Sequence, residues 1–477
     1  MISDTLAIII SIVTVTFQVA GIFFAVQAVM VSRTPQSSIA WGLGLVVFPY
    51  LTIPLFLIFG ESRFSGYHLA GKGSCPKLDE FLAKSRAALE PFRAHFSSKY
   101  SDAEQLTERL RGFPVTRGNS VKLLIDGKET FAAIFAALDA ATEYIIVQFY
   151  IINDDHVGDD LKARILNARR RGVRCWVLYD NVGSKHLTKS YVRELREAGV
   201  EVKAFVTNRQ IGRHFQLNFR NHRKLVIADG KTAFIGGLNA GSEYMGEGPL
   251  GEWRDTHMSV SGPVVQALQV SFMEDWYYAA REIADLPIQP VVAGEQHVLP
   301  FASGPAEVWN VSPAVYCEII HDVRERLWIA SPYFVPDPAL RTALAHAALR
   351  GVDVRIILPK GIDHLLPWLS SFSFYPQMLA AGVRIWRYQP GFMHQKVMLA
   401  DDSMAIVGSV NFDYRSFMLN FELAGAVEDK AFAKDVERMF EADFARSIEE
   451  DLHAKFDGAS FLHRLKCRLA ALMSPEQ

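Results

Sequence analysis

The chain has 477 residues, of which 50% are hydrophobic and 21% are charged, and its formal net charge at pH 7 is -2. This composition is typical of a globular protein that carries some membrane-embedded sequence. The near-neutral balance argues against the broad basic face of a nucleic-acid enzyme. The four cysteines lie far apart without C-x-x-C spacing, which argues against a zinc site or a disulfide framework.

Two apolar runs predict a transmembrane helical hairpin within residues 1–62. The first run, residues 6–31, contains only uncharged polar interruptions and is long enough to cross a bilayer. It lacks the basic start and the small-residue cleavage site of a signal peptide, so we expect it to be retained. The second run covers residues 39–59. Its prolines, Pro49 and Pro54, leave a re-entrant segment open as the alternative to a full span.

Basic residues are unevenly distributed around the hairpin. None precedes the first run, and Arg33 lies between the two runs. Several follow the second run, namely Arg63, Lys72, Lys77, Lys84 and Arg86. Because basic flanking segments stay on the cytoplasmic side, this bias predicts a multi-pass protein whose N-terminus and main body are cytoplasmic.

Two amphipathic segments flank the body. Residues 63–118 connect it to the hairpin, and the near-helical spacing of apolar residues between 78 and 110 predicts one or two helices packed on the body. Residues 451–477 form the tail, in which Arg464, Lys466 and Arg468 alternate with leucines. A helix at a membrane interface and a helix packed on the body both remain open for this tail.

The body is predicted to consist of two similar halves, residues 119–286 and 305–450, joined by a linker at 287–304. In the first half, the apolar strand TEYIIVQFYII precedes a helix at 159–171 and the strand RGVRCWVLYD. The second half repeats this order with ERLWIASPYF, a helix at 339–350 and RGVDVRIILP. Strand, helix and strand in succession predict a parallel sheet in each half. The repeat predicts an α/β protein with pseudo-two-fold symmetry and one shared site.

One stretch occurs in both halves without a gap. Residues 222–239 read HRKLVIADGKTAFIGGLN, and residues 394–411 read HQKVMLADDSMAIVGSVN. The matched polar residues are His222, Lys224, Asp229 and Asn239 in the first copy and His394, Lys396, Asp401 and Asn411 in the second. In each copy an apolar run, a turn signal and a second apolar run predict a β-hairpin. Two gapless copies in two similar halves favour a functional site over the alternative that each His and Lys is only a surface residue of its strand.

The chemistry of this stretch suits a phosphodiester. Alternate side chains of a strand share a face, so His222 is expected beside Lys224 and His394 beside Lys396, with Cα atoms about 7 Å apart. Two imidazoles and two ammonium groups without metal-ligand spacing suit a phosphodiester better than a carbonyl or a metal ion. One imidazole is predicted to attack phosphorus, forming a phosphohistidine, while the other protonates the departing alkoxide. This chemistry requires no metal and no cofactor.

Substrate-binding groups are expected at the end of each hairpin. The backbone N–H groups at Gly237 and Ser409 are predicted to face an anion, because a bare or small residue lets a ligand approach the chain. Asn239 and Asn411 are expected to add neutral amide donors that stabilise charge on the non-bridging oxygens.

Five acidic or basic residues in or near the motifs have more than one role open to them. Asp229 and Asp401 are expected in the catalytic set, and the sequence leaves open whether they orient an imidazole or pair with a lysine. Beyond the second copy, Asp413, Arg415 and Glu422 are charged residues close to the predicted site. A role in the site, with Glu422 as a substrate-binding candidate, and a role in fold stability or at the surface both remain open.

The motif H-x-K-x4-D, present twice and followed each time by G-[GS]-x-N, resembles the signature of the phospholipase D superfamily. The stretches NFRNHRKLVIADGKTAFIGGLNAGSEYMG, WRDTHMSVSGP, SPYFVPD and NFDYRSFMLNFE are similar to those of bacterial cardiolipin synthases, as is the N-terminal IAWGLGLVVFP. The resemblance covers nearly the whole chain. It implies two phospholipase D-like α/β/α sandwich halves that share one active site, in a protein of the bacterial inner membrane.

The resemblance also implies a reaction. A phosphatidyl group would pass from one phosphatidylglycerol to a second, giving cardiolipin and glycerol at the bilayer, with His222 as nucleophile and His394 as general acid. Gln395 replaces a small residue often found between His and Lys in the second copy. Its side chain is expected to face away from the site.

Several alternatives share this signature. A hydrolytic phospholipase D would release phosphatidic acid, and a transferase using phosphatidylethanolamine or another alcohol would keep the same motifs. A nuclease of the superfamily is disfavoured by the apolar hairpin and the neutral charge, so nucleic acid is not expected as a partner. A catalytically inactive membrane scaffold would make the repeated residues dispensable. The sequence gives no prediction of oligomeric state.

Overall fold

The structure is a computed structural model that describes residues 2–32, 35–60, 64, 75–110, 112–207, 219–307, 309–450 and 460–474. Parts of five predicted segments therefore lie outside the described residues. These parts are residues 1, 33–34 and 61–62 of the hairpin, residues 63, 65–74 and 111 of the connection, residues 208–218 of the first half, residue 308 of the second half, and residues 451–459 and 475–477 of the tail.

The N-terminal apolar sequence forms three helices, α1 (Ile2–Val31), α2 (Pro35–Val47) and α3 (Pro49–Phe59). By length and composition, Thr5–Met30 is the one candidate membrane span among the described helices. The helices contact one another through a small buried cluster of Ala28, Leu45, Ile53 and Phe56. Most of their other large apolar side chains are exposed, as lipid-facing side chains would be.

The second apolar run is not the single helix expected over residues 39–59. It divides at Phe48, whose backbone (φ -129°, ψ 57°) leaves the helical region. Pro49 accounts for the break, because proline restricts the residue before it and has no N–H to continue the helical hydrogen bonds. Pro54 lies inside α3 without dividing it.

The part of the chain after α3 contains the remaining described α-helices and strands, including those of the two segments that flank the body. Its helices are α4 (Pro76–Leu89), α5 (Ser101–Arg109), α6 (Asp126–Ala140), α7 (His156–Arg170), α8 (Lys189–Glu197), α9 (Val264–Ala280), α10 (Val311–Asp322), α11 (Pro338–Leu349), α12 (Leu365–Ser371), α13 (Tyr375–Ala380), α14 (Tyr414–Met418), α15 (Lys430–Ala445) and α16 (Phe461–Leu472). Its strands are β1 (Thr116–Ile125), β2 (Tyr144–Phe149), β3 (Arg174–Asp180), β4 (Glu201–Phe205), β5 (Arg220–Asn221), β6 (Leu225–Ala228), β7 (Thr232–Gly236), β8 (Trp253–Arg254), β9 (Thr256–Ser261), β10 (Gln296–Ser303), β11 (Arg326–Ala330), β12 (Phe334–Val335), β13 (Asp353–Pro359), β14 (Arg384–Tyr388), β15 (Phe392–Met393), β16 (Val397–Ala400), β17 (Met404–Gly408), β18 (Phe412–Asp413), β19 (Asn420–Glu428) and β20 (Ser447–Glu449).

Aspartates fix the starts of the two crossover helices. Asp155 accepts hydrogen bonds from the N–H groups of Val157 and Gly158 at the start of α7, both at 3.1 Å. Asp337 does the same at the start of α11. Such caps satisfy N–H groups that have no partner within the helix. The helices predicted at 159–171 and 339–350 are therefore present, and each begins slightly earlier than expected.

Most of the strands join one sheet, in the order β20-β14-β13-β11-β16-β17-β19-β10-β1-β9-β7-β6-β2-β3-β4, with β5 beside β19. The predicted parallel strands are confirmed, since β2, β3 and β4 run parallel, as do β11, β13 and β14. All six residues of β2 are buried, as expected for a parallel strand covered on both faces. The fold is therefore of the mixed α/β type.

Helices cover both faces of this sheet. On one face, α9 and α15 pack in a single apolar cluster that includes Trp276 and Phe440. On the other face, α6, α7 and α8 cover the strands of residues 119–286, and α10 and α11 cover those of residues 305–450. The core therefore continues from one end of the sheet to the other.

Both repeated stretches fold as hairpins, as predicted. Strands β6 and β7 pair antiparallel with Leu225 opposite Ile235, and β16 and β17 pair in the same way. At the first turn, Asp229 and Gly230 both have positive φ angles, of 54° and 63°. Asp401 has the corresponding φ of 53° in the second hairpin. Aspartate and glycine tolerate this left-handed conformation better than most residues.

A buried ion pair joins α15 to the strands beside the repeated stretch. The Arg254 guanidinium donates to both carboxylate oxygens of Asp443, at 2.8 and 3.0 Å. Asp443 also accepts from the amide of Gln395 at 2.8 Å. The Gln395 side chain therefore lies in the core beside α15, on the opposite side of its strand from His394, as predicted.

This pair predicts a large stability difference between two positions on α15. Asp443→Ala should lower the free energy of unfolding by about 3 kcal/mol, because it removes the partner that binds the buried Arg254 charge through both oxygens and leaves only Asp126, at 3.1 Å. Asp435→Ala, which removes the exposed partner of Arg438 on the same helix, should change it by less than about 0.5 kcal/mol. Denaturant unfolding of the detergent-solubilised chain measures both. Equal losses would contradict the assigned burial.

Candidate active site

Two short parallel strand pairs bring the motif histidines to carboxylates that lie far away in the sequence. In the first, β5 runs beside the start of β19, with Arg220 opposite Asn420 and Asn221 opposite Phe421. The His222 N–H continues this pairing by donating to the carbonyl of Phe421 at 2.9 Å. The His222 ring therefore meets Glu422, and its Nδ1 lies 3.0 Å from each carboxylate oxygen.

The second pair repeats this geometry. Strands β15 and β8 run parallel with Phe392 opposite Trp253, and the His394 N–H donates to the carbonyl of Arg254 at 2.8 Å. His394 Nδ1 lies 2.8 Å from Asp255 Oδ2. Each imidazole is thus held through Nδ1 by an acid from the other half of the chain. This bond fixes the ring through Nδ1, so that Nε2 does not bond to the acid.

Glu422 was expected near the site as a substrate-binding residue, and the structure instead bonds it to His222. Its carboxylate is fully buried, and it also accepts from the Ser409 hydroxyl at 2.5 Å. Burial alone would raise the pKa of Glu422, but the charges of His222 and Lys224 and the Ser409 bond hold it below its ordinary value. Glu422 is therefore a carboxylate that orients an imidazole.

Asp255 bonds to the second motif histidine, and the sequence motifs do not predict it as a site residue. It lies in the stretch WRDTHMSVSGP, which the sequence connects only with the family resemblance. Its spacing from His222 differs from the spacing of Glu422 from His394, because the connection within the first half is longer. A gapless comparison of the two copies therefore does not align the two acids.

The motif lysines are buried beside their histidines. Lys224 Nζ donates to the His222 carbonyl at 2.7 Å, and Lys396 Nζ donates to the His394 carbonyl at 2.5 Å. Lys396 Nζ also lies 3.0 Å from His394 Nε2. Burial lowers the pKa of Lys396 to about 8, against the opposing pull of Asp255 and Glu422. Burial and the charge of Lys396 also lower the pKa of Lys224, despite Glu422.

Both imidazoles favour the neutral form in the absence of substrate. Burial lowers the pKa of His222 to about 4, although Glu422 opposes this shift. Burial and the charges of Lys396 and Lys224 hold the pKa of His394 well below its ordinary value. Lys396 also lowers the pKa of His222, and His222 lowers that of His394. Residues of the two copies therefore lie within electrostatic range of one another.

The backbone amides expected to bind an anion have protein partners instead. The Gly237 N–H donates to the Thr256 carbonyl at 3.0 Å, and the Ser409 N–H donates to the Leu423 carbonyl at 2.9 Å. The expected anion contacts are therefore wrong for these two groups. A Cβ on Gly237 would lie 2.1 Å from Asp255 Oδ1, so glycine leaves room for that acid. Gly237 thus leaves room for Asp255, and the Ser409 hydroxyl donates to Glu422.

The two motif asparagines differ in their contacts. Asn239 Oδ1 accepts from the Ile151 N–H at 3.1 Å, and its amide donates to the Tyr244 hydroxyl at 2.8 Å. Asn411 is 6% exposed, and its Oδ1 has no hydrogen-bond partner within the described part of the chain. Because buried polar atoms are normally bonded, Asn411 is the better candidate for a substrate contact.

The motif aspartates lie at the hairpin turns. Asp229 accepts from the backbone N–H groups of Thr142, Glu143 and Tyr144, at the start of β2. The Asp229 carboxylate thereby fixes the start of the neighbouring strand. Neither role expected of it, orienting an imidazole or pairing with a lysine, is seen in its contacts. These bonds lower its pKa, although burial acts in the opposite direction.

Asp401 occupies the same position in the second hairpin. It accepts from the N–H groups of Arg324, Glu325 and Arg326 before β11, and it pairs with Lys99. A lysine partner was expected, but it comes from the segment that precedes β1 and not from the motif. Asp229 and Asp401 are therefore turn residues whose carboxylates bind the backbone at the start of a neighbouring strand.

Asp413 has a structural role in the described contacts. It accepts from the Ser416 N–H at 2.6 Å and so caps α14. Burial raises the pKa of Asp413 to about 6. Arg415 is half-buried in α14 and lies within electrostatic range of Asp413.

A cavity of about 850 Å³ lies on the other side of the strand that carries His222. Its lining includes Arg223 and Phe421, which alternate with His222 and Glu422 and so face the opposite way, together with Leu78, Phe113 and Tyr277. This cavity is therefore separate from the two motif imidazoles.

Comparisons with known proteins agree with this geometry. Residues 134–276 and 316–444 match the family model described as cardiolipin synthase, phospholipase D-like domain. The chain is 44% identical over 461 residues to cardiolipin synthase A of Pseudomonas entomophila, covering 95% of this chain and 96% of that protein. It is also 44% identical over 466 residues to cardiolipin synthase A of Pseudomonas fluorescens, covering 96% and 97% of the two chains.

A solved structure supports the fold alone. Phosphatidylserine synthase of Haemophilus influenzae superposes with a TM-score of 0.63 at 14% identity, covering 79% of this chain and 100% of that one. With the matched family model and the full-length relatives, the chain belongs to the phospholipase D-like cardiolipin synthase family.

Proposed function

We propose that this chain is a cardiolipin synthase that moves a phosphatidyl group from one phosphatidylglycerol to another, giving cardiolipin and glycerol. The observation that carries the proposal is the exchange of carboxylates, in which Glu422 holds His222 and Asp255 holds His394. The full-length similarity to cardiolipin synthases supports lipid substrates over nucleic acid.

Residues 119–286 and 305–450, joined at 287–304, act as two pseudo-symmetric phospholipase D-like α/β/α halves that share one active site. The matching strand pairs β5 with β19 and β15 with β8 support this arrangement, since each carries a histidine of one half to an acid of the other. The mutual pKa effects between the copies also support a single site.

The reaction proceeds by two displacements at phosphorus. In the first, the neutral Nε2 of one imidazole forms a bond to phosphorus while the bond to the glycerol oxygen breaks. The other imidazole, protonated, gives its proton to that oxygen, and glycerol leaves. In the second, the hydroxyl of an acceptor phosphatidylglycerol attacks phosphorus, its proton passes to the now neutral imidazole, and the N–P bond breaks.

The charges of the site suit these steps. Lys224, Lys396 and the Asn411 amide stabilise the non-bridging phosphate oxygens as charge redistributes. Without substrate, both imidazoles favour the neutral form, as attack requires. A bound phosphodiester adds a negative charge that raises the pKa of the proton-donating imidazole. The order implied by the family resemblance, with His222 attacking, stays a prediction.

Burial of the site favours transfer over hydrolysis. Each motif histidine and lysine is at most 8% exposed. A closed site admits little water to compete with the lipid hydroxyl for the intermediate. A hydrolase would need water at this position, and a transferase for another donor or acceptor would need different contacts to the headgroup.

The N-terminal sequence anchors the enzyme in the bacterial inner membrane. Helix α1 crosses the bilayer, and the bent pair α2 and α3 returns through it, so that residues 1–62 form a hairpin. Residues 63–118 then connect the hairpin to a cytoplasmic body. The exposed apolar side chains of all three helices support this topology, and so does the basic bias after the second run.

The C-terminal helix α16 lies at the membrane interface. It contacts α12 and buries Cys467 and Ala470, whereas Leu465 and Leu469 remain exposed. Arg464, Lys466 and Arg468 give it three positive charges and favour anionic lipid. Within residues 451–477, this described helix therefore presents an apolar and basic surface to the bilayer.

The proposed function is tested directly by purified chain in phosphatidylglycerol vesicles. Cardiolipin and glycerol should form in equal amounts. Asp255→Asn and Glu422→Gln should each slow this by on the order of 10²–10⁴-fold, because each imidazole loses its oriented tautomer. Mass spectrometry and a glycerol assay measure the products, and Asp285→Asn, at an exposed carboxylate, serves as the control.

Other outcomes of this assay would contradict the proposal. Phosphatidic acid as the main product would indicate a hydrolase, and DNA cleavage at ordinary salt would indicate a nuclease. Unchanged rates in both carboxylate variants would contradict the claim that Glu422 orients His222 and Asp255 orients His394.

The rate should fall as pH rises through about 8, because Lys396, whose burial lowers its pKa to about 8, loses its charge there. Lysine is cationic below its pKa, so charge stabilisation is lost on the alkaline side. In Lys396→Arg, which stays charged at this pH, the normalised pH profile should lack this decline. Lys185→Arg, at an exposed lysine, should keep it. An alkaline decline that is identical in all three proteins would assign it to another group.

The topology is tested with an impermeant thiol reagent on intact cells. Gln36→Cys, at the exposed start of α2, should be labelled from outside, because the hairpin places the start of α2 on the far side of the membrane from the body. Native Cys75 should be labelled only after lysis. Labelling of both cysteines only after lysis would indicate a re-entrant segment and contradict the hairpin.

A further inference from the structure

The two sides of the proposed site differ in chemistry. On the His394 side, the neighbours are aromatic: the Trp253 ring lies 5.1 Å from the His394 ring, and the Phe392 ring lies 6.1 Å from it. Tyr244 packs edge-on against Trp253 at 4.9 Å. This side therefore presents a largely apolar wall.

The His222 side also has one aromatic neighbour, Tyr150, whose ring lies 5.0 Å from the His222 ring, but it has polar residues at the positions that match Phe392 and Trp253. Arg220 precedes His222 by two residues, as Phe392 precedes His394, and Asn420 stands opposite Arg220 as Trp253 stands opposite Phe392. Alternate residues of a strand share a face, so Arg220 lies on the face of His222. Arg220 is 8% exposed and Asn420 is 6% exposed.

The Arg220 guanidinium has unused hydrogen-bonding capacity. It carries five N–H donors, and its one hydrogen bond within the described chain goes to the carbonyl of Phe219, at 2.6 Å. Among the described ion pairs, none includes Arg220. Burial lowers the pKa of Arg220, although Asp180 and Tyr150 oppose this. A buried cation with free donors favours an anionic ligand, because an uncompensated charge is costly to bury.

The groups around Arg220 leave this capacity open. Asp180 is in electrostatic range, but its oxygens accept from the N–H groups of Val182, Gly183 and Asn221 at 2.9 to 3.0 Å. The Asn420 amide donates to Glu422 at 3.2 Å, whereas Asn420 Oδ1 has no partner in the described residues. A free buried acceptor beside a cation suits a ligand with a hydroxyl next to a phosphate.

We infer that Arg220 and Asn420 bind the headgroup of the acceptor lipid, with Arg220 on its unreactive phosphate and Asn420 on the central hydroxyl of its glycerol. This inference rests on the proposed function and names the acceptor as a phosphodiester lipid. In cardiolipin a three-carbon glycerol bridge separates the two phosphates. Residues two apart on a strand have Cα atoms about 7 Å apart, a spacing that suits one phosphate at His222 and the next at Arg220.

The subsite also assigns the roles of the two histidines. An entering hydroxyl must approach phosphorus from the side opposite the N–P bond. An acceptor bound beside His222 therefore gives its proton to His222, and His394 carries the phosphatidyl group. This assignment reverses the order expected from the family resemblance.

The test compares two acceptors in the full-length enzyme. Cardiolipin synthesis uses an acceptor with a phosphate, whereas exchange of labelled glycerol into phosphatidylglycerol uses an acceptor without one. Arg220→Gln should lower cardiolipin synthesis by about 10- to 100-fold, the range of a lost charged hydrogen bond, and glycerol exchange by less than about threefold. Retained exchange would also show that the variant is folded.

Each other result would overturn the inference. An equal loss in both reactions would indicate that Arg220 binds the donor lipid or stabilises the fold. No loss in either reaction would show that Arg220 does not bind the acceptor. Arg220→Lys should recover part of the cardiolipin rate, and Arg193→Gln, at an exposed arginine on α8, should change neither reaction. If the unmodified enzyme exchanges glycerol but makes no cardiolipin, the proposed function itself fails.

The roles of the histidines have a separate readout. Arg220→Gln should accumulate the phosphohistidine, because the step that consumes it is slowed. After rapid quenching at alkaline pH, peptide mapping should find the label on His394. A label on His222 would contradict the placement of the acceptor beside that residue.

Discussion

The structure depends on one exchanged interaction, in which each motif histidine is held by a carboxylate from the other half of the chain. His222 meets Glu422 and His394 meets Asp255, and all four side chains are buried. The backbone enforces the exchange, since each histidine N–H bonds to the carbonyl of the residue before its acid. Neither half alone therefore supplies both partners of either histidine–carboxylate pair. A small shift of one half against the other would disturb both imidazoles together.

Burial gives these contacts their strength and sets their protonation. In a site from which water is largely excluded, the pKa values of both imidazoles and both lysines lie below their ordinary values. In the proposed reaction, a bound phosphodiester adds negative charge beside the imidazoles, so binding and proton donation would be coupled. The proposed acceptor subsite uses the differing neighbours of the two histidines, Arg220 on one side and Trp253 on the other, to distinguish the two lipid substrates.

Much of this arrangement follows from the sequence, because it depends on local patterns. The alternation of His222 with Lys224, the two hairpins and the parallel strands are encoded by periodicity and turn residues, and the structure contains them. Gln395 lies in the core for the same reason. The acids that hold the histidines depend on tertiary packing. Asp255 could not be predicted by comparing the two copies, because its spacing from His222 differs from the spacing of Glu422 from His394. Asp229 was expected in the site, but its carboxylate bonds to the backbone just before β2.

Other differences arise from neighbours that sequence order does not reveal. Gly237 was expected to bind an anion through its N–H, but that group pairs with Thr256, and the missing side chain makes room for Asp255. Pro49 ends one helix and begins another within a run that composition alone describes as a single span. The position of Arg220 opposite Asn420 depends on the strand register, which the sequence does not reveal.

The central claim, that both imidazoles act on one phosphorus atom, is tested most directly by comparing single and double histidine variants. We predict that His222→Gln and His394→Gln each abolish cardiolipin synthesis and that the double variant is no slower than either, because residues that act as a unit are not additive. Two independent sites would instead leave each single variant with about half of the activity, and that result would contradict the account.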